Sequence, residues 1–86
     1  MNKNFVGQAF EEYSYWATHD IKIFRKINDL IRSIERDGFA KGLGKPERLK
    51  YRDGWSRQIT HEHRLVYEVD KENCLHIFSC KGHYDD

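Results

Sequence analysis

Glu47, Arg64 and His83 are the residues of this sequence whose types together could cleave a phosphodiester. They belong to a group of four short runs, three of which hold them: Lys45-Pro46-Glu47-Arg48-Leu49-Lys50, Trp55-Ser56-Arg57-Gln58-Ile59-Thr60, His63-Arg64-Leu65-Val66-Tyr67 and His83-Tyr84. RNA can be cut through its own 2′-OH. A base removes that proton, an acid protonates the departing 5′ oxygen, and fixed positive charge meets the negative charge that builds on the phosphate. Glutamate, histidine and arginine are residue types for those three tasks. Any one of them alone is ordinary on a soluble domain, so the grouping carries the reading.

Charge is unevenly spread around this grouping. The chain has 86 residues and a formal net charge of +1. Residues 1–40 carry six basic and six acidic side chains, and residues 41–64 carry seven basic against three acidic. Residues 65–86 carry two against five. A basic middle segment interleaved with Tyr51 and Trp55 fits a phosphate backbone with bases available for stacking. Eighty-six residues make one domain, 1–86, with a modest core. Aromatic residues at 14% must supply much of its bulk.

Cys74 and Cys80 are the two cysteines. On one strand they would lie ~20 Å apart, beyond the ~7 Å that a disulfide tolerates between Cα atoms. Two reduced thiols, no signal-peptide pattern and no apolar run of membrane-spanning length give a cytoplasmic expectation with no membrane partner.

The elements that must position the site follow from periodicity. Ile23, Phe24, Ile27, Leu30, Ile31 and Ile34 share one helical face, which predicts a helix over 20–37 with Asp20 as N-cap and Gly38 as the stop. A shorter helix over 8–18 is expected to bury Ala9, Phe10, Tyr13, Trp16 and Ala17. Residues 4–6 can supply an edge strand. The glycine-rich stretch 38–45 reads as a loop ending at Pro46. Strands are expected at 49–52, 55–60, 62–69 and 74–81, with Asp53-Gly54 as a hairpin turn. The fold class is therefore α+β: two antiparallel N-terminal helices packed on one face of a mostly antiparallel sheet, the other face open for a site.

The connection at His61-Glu62 decides which arginines share a face. A two-residue loop would place Arg57 beside Arg64 as a second phosphate ligand. An odd-length loop or a bulge would put Gln58 there instead. Glu47 follows a proline at a loop exit, close to Lys45, Arg48 and Lys50. His61, His63, Cys80 and His83 could suggest a metal, but no established ligand spacing accompanies them, and no metal or other cofactor is expected. His63 is expected to pack between helix and sheet.

Gly44-Lys45-Pro46-Glu47, Trp55-Ser56-Arg57, Glu62-His63-Arg64-Leu65-Val66-Tyr67 and Cys80-Lys81-Gly82-His83-Tyr84 occur in this order across most of the chain. With Tyr13-x-Tyr15-Trp16 and Lys26-Ile27-Asn28-x-Leu30-Ile31, the set resembles the YoeB branch of the RelE-like toxins. The resemblance implies a RelE-like fold and a ribosome-dependent endoribonuclease that cuts messenger RNA in the ribosomal A site. Cleavage would leave a 2′,3′-cyclic phosphate and a 5′-OH. It further implies Glu47 as general base, Arg64 as phosphate-stabilising cation and His83 as general acid with Tyr84 beside it. Lys50 matches a supporting basic position, and Arg57 is taken with it as substrate-binding. A YefM-like antitoxin is the implied partner, and a homodimer is possible. The competing reading is a non-catalytic RNA- or protein-binding module on the same scaffold, including a ParE-like gyrase poison, which lacks the base–acid pair.

Overall fold

The computed structural model describes residues 1–83, so Tyr84 lies outside the described residues. Two helices cover one face of a five-stranded sheet. The elements run β1 (Asn2–Phe5), α1 (Ala9–His19), α2 (Ile21–Asp37), β2 (Glu47–Arg48), β3 (Trp55–Gln58), β4 (Arg64–Val69) and β5 (Cys74–Ser79). The sheet order is β1-β5-β4-β3-β2. β1 pairs in parallel with β5, and the other neighbours are antiparallel. This is the expected α+β architecture.

α2 follows its apolar period. Ile27, Leu30, Ile31 and Ile34 are buried in it, and Asp20 Oδ1 accepts the Lys22 and Ile23 amides at 3.1 and 3.4 Å. Gly38, at φ 94°, ends the helix. The buried face meets Leu65 and Tyr67 of β4 and Leu75 and Ile77 of β5. Burying each such side chain contributes roughly 1.5–3 kcal/mol. α1 contributes less of its surface than expected. Ala9 and Trp16 are buried, but Phe10 is 58% exposed and Ala17 is also exposed. Phe10 instead meets Phe5 edge-on at 5.7 Å between ring centroids. The inward stripe runs through Ala9, Glu12, Tyr13 and Trp16, and Phe10 lies about 100° around the helix from Ala9.

The second strand is earlier and shorter than predicted. Glu47 and Arg48 pair with Ser56 and Trp55. Leu49 follows the strand, donates to the Gly54 carbonyl at 3.0 Å in the same register, and is buried. Residues 49–54 thus form a broad turn instead of a strand followed by a tight Asp53-Gly54 turn.

Cys74 and Cys80 are both free thiols, as expected. Cys80 is fully buried, and burial, helped by the Glu12 carboxylate, pushes its thiol up to about 12 from 9.0. The folded chain therefore holds this proton longer than the unfolded chain. The resulting stabilisation is complete below about pH 9 and declines as pH rises towards 12. Iodoacetamide at pH 8 should modify half-buried Cys74 in the native protein and reach Cys80 only after denaturant is added. Equal native rates, read by peptide mass spectrometry, would contradict this burial.

Candidate functional site

The β3–β4 register sets the site. Gln58 pairs with Arg64, Ser56 with Val66 and Arg57 with Leu65. The turn between the strands is held by Thr60, whose Oγ1 accepts the amides of Glu62 and His63, each at 3.1 Å. Ile59 N–H bonds the His63 carbonyl at 2.9 Å, leaving three residues, Thr60 to Glu62, in the connection. An odd count moves the pairing by one position relative to a two-residue loop, and the side chains of β3 change face relative to those of β4. Gln58 therefore shares the open face with Arg64, Ser56 and, across β2, Glu47.

Arg57 is the correction that follows. It is fully buried beneath the sheet and is not among the residues that line the cleft on the open face. Its Nε donates to Tyr67 Oη at 2.8 Å, and Nη1 donates to Ser33 Oγ at 3.0 Å and Leu43 O at 2.9 Å. Nη2 donates to Gly38 O at 2.9 Å and Lys41 O at 2.6 Å. All five guanidinium protons are thus directed to protein acceptors. They draw the loop from Gly38 to Leu43 down onto the sheet. Gly44 completes the descent: its carbonyl accepts Gln58 N–H at 2.7 Å, and a Cβ on it would stand 2.7 Å from Leu30 Cδ2. Lys45 follows at φ 52°, then Pro46, and Glu47 enters β2.

His83 reaches the same face by a turn after β5. Arg64 N–H donates to Gly82 O at 3.0 Å, and Gly82 N–H donates to His63 Nδ1 at 2.9 Å. Gly82 itself has φ 94°, a conformation that side-chain-bearing residues rarely adopt. His83 Nε2 then lies 3.3 Å from Arg64 Nη2. Arg64 is fixed from behind, since its Nη1 donates to the carbonyls of Thr60, His61 and His63 at 2.8, 3.0 and 3.2 Å. Arginine has no acceptor, so His83 Nε2 accepts in this arrangement.

Lys45, Glu47, Ser56, Gln58, Arg64 and His83 line a cleft of about 130 Å³. The structure brings together Glu47, Arg64 and His83 as sequence-predicted candidates. Lys50 is exposed in the turn after β2 and is not among the lining residues. Gln58 takes the place that an odd-length turn would give it, and Ser56 joins it as a lining residue not expected from the sequence. The signal for them was the strand alternation that places positions 56, 58 and 64 together once the turn is odd. A cleft lined by polar and charged groups suits a charged ligand better than an apolar one.

His63 packs edge-on against Trp16 of α1 with ring centroids 4.8 Å apart, between helix and sheet as expected. Among the described residues, the side chains of metal-binding type that cluster are Asp70, Cys74 and His76. They sit at the β4–β5 hairpin and include none of His61, His63, Cys80 or His83. There Asp70 Oδ2 meets His76 Nε2 at 2.8 Å, and this hydrogen bond, with the Cys74 amide, holds the carboxyl below its usual range. Among the described residues, no helix is long and apolar enough to cross a membrane.

Two helices on one sheet face, with this cleft on the other, define an α+β class in which solved bacterial toxins are found. The YoeB dimer of Staphylococcus aureus superposes with a TM-score of 0.91 at 51% identity, covering 98% of each chain. The YoeB chain of the S. aureus YoeB–YefM heterotetramer gives 0.90 at 51% identity, again covering 98% of each chain. The model of the YoeB-like toxins of bacterial type II toxin–antitoxin systems matches residues 5–84, and the chain belongs to that family. Toxin YoeB of Escherichia coli (strain K12) is 46% identical over 79 residues, which is 90% of this chain and 92% of the relative.

Proposed function

We propose that this toxin is a metal-independent endoribonuclease that cuts messenger RNA in the ribosomal A site. The observation that carries the reading is the placement of His83 Nε2 3.3 Å from Arg64 Nη2, in one cleft with Glu47. Glu47 takes the 2′-OH proton as the 2′ oxygen attacks phosphorus. Arg64 and Lys45 face the charge that builds on the phosphoryl oxygens. The P–O5′ bond breaks, and His83 protonates the departing oxygen, leaving a 2′,3′-cyclic phosphate and a 5′-OH. An entering phosphate takes over the Nη2 donors that point at His83, which releases Nε2 to carry the proton it must deliver. Tyr84 completes the candidate set by resemblance alone. Lys50, outside the lining, would meet RNA beyond the scissile phosphate.

This reading separates the chain from a non-catalytic module or a gyrase poison, because a carboxylate and an imidazole flank the same cationic cleft. A cytoplasmic location belongs to the proposal, as does a YefM-like antitoxin that covers the cleft and the His83 tail. The S. aureus relative in complex with YefM supports such a partner, and the dimer of that relative supports self-association. Ribosome-bound message with 2′-deoxy or 2′-O-methyl at the scissile nucleotide should bind nearly as well as normal message and remain uncut. EDTA should leave cleavage of the normal message unchanged. Cutting of the 2′-O-methyl message, or loss of activity in EDTA restored by a divalent metal, would overturn the mechanism.

A further inference from the structure

We propose that His63 is the positioning residue for His83, acting through the Gly82 amide; this rests on the reading of His83 as the general acid. β5 ends at Ser79, and the chain beyond it is held mainly by side chains. The Cys80 amide donates to Glu12 Oε1 at 2.8 Å, and the Cys80 carbonyl accepts Trp16 Nε1 at 3.0 Å. These α1 contacts anchor the start of the turn. Its last joint is Gly82, the residue type with the widest backbone freedom, at φ 94°. His63 Nδ1 accepts the N–H on one side of the Gly82 Cα, and the Arg64 amide donates to the carbonyl on the other side. Both peptide planes flanking that Cα are thereby pinned, and the direction in which His83 leaves the turn follows.

The pin has a defined chemical state. A backbone amide can only donate, so Nδ1 carries a lone pair and the neutral His63 ring holds its proton on Nε2. Trp16 packs its ring edge-to-face on His63 while holding the Cys80 carbonyl. One indole thus sets both the imidazole and the strand end. His63 is not among the residues that line the cleft; it acts through the geometry of its neighbours.

Two amide substitutions distinguish this role from simple packing. In His63→Asn the side-chain Oδ1 would stand about where Nδ1 stands, whereas in His63→Gln the amide reaches one bond further, near the position of Nε2. Both lose the aromatic contact with Trp16, so a packing role would make the two variants alike. Two readouts on the full chain apply: hydrogen exchange of the Gly82 amide by NMR, and kcat and KM for cleavage of ribosome-bound message. His63→Gln should speed Gly82 exchange by about tenfold, as expected for loss of one hydrogen bond. It should also lower kcat by about ten- to a hundredfold with KM within about twofold. His63→Asn should retain most of both. Equal values for the two variants in exchange and in kcat would overturn the proposal. If His83→Gln itself left cleavage intact, the reading of His83 would fail, and Gly82 exchange would still decide whether His63 holds the turn.

Discussion

Arg57→Met should lower the unfolding free energy by about 3–5 kcal/mol, a large part of the roughly 5–15 kcal/mol that holds a domain of this kind. The methionine fills a similar volume but leaves the carbonyls of Gly38, Lys41 and Leu43 without the guanidinium donors they now accept. Tyr67 Oη and Ser33 Oγ lose a donor as well. Arg57→Lys should recover little, because one ammonium cannot reach five acceptors spread around a planar fork. Urea titration followed by circular dichroism gives the free energy directly. At about 4–8 °C per kcal/mol for a domain this small, the melting temperature should fall by at least about 12 °C. A variant of native stability but weak RNA affinity would return Arg57 to the binding surface and contradict the observed register.

His83→Gln should lower kcat by about 10²–10⁴-fold while KM changes little, because a general acid contributes in the transition state and not in ground-state binding. Glu47→Gln removes the base and should fall in the same range. Arg64→Ala should cost about 3 kcal/mol of transition-state stabilisation, by analogy with removal of one oxyanion donor. This variant also removes the guanidinium donor from the carbonyls of Thr60, His61 and His63, so its melting temperature must be measured alongside its rate. Single-turnover cleavage of ribosome-bound message separates chemistry from product release. Loss of affinity with an unchanged single-turnover rate in His83→Gln would assign the imidazole to binding and remove it from the chemistry.

Much of the fold was legible in the residues. The apolar period and the Asp20 and Gly38 signals located α2 within a residue, because helix faces and caps are local properties. The three antiparallel strands β3, β4 and β5 followed from alternation and from turn-forming residues between them. Glu47, Arg64 and His83 were identifiable by type and by resemblance. Local pattern could not place Phe10, since which stripe of α1 is covered depends on what packs against it. Nor could it show that the strand ends before Leu49, whose side chain is buried.

The arginine at position 57 marks the boundary most clearly. Both possible faces were open in the sequence, because a strand with Arg57 and Gln58 side by side offers a polar group to either side. Thr60 capping the amides of Glu62 and His63 makes the turn odd. That parity sends Gln58 to the cleft and Arg57 into the interior. The sequence by itself determined the helices, the strand meander and the chemical types available for a phosphate site. Tertiary structure decided which cation faces the cleft and which holds the molecule together. The reason is that side chains alternate with a period of two: one residue more or less in a turn exchanges the faces of a whole strand, and only the packed sheet fixes that count.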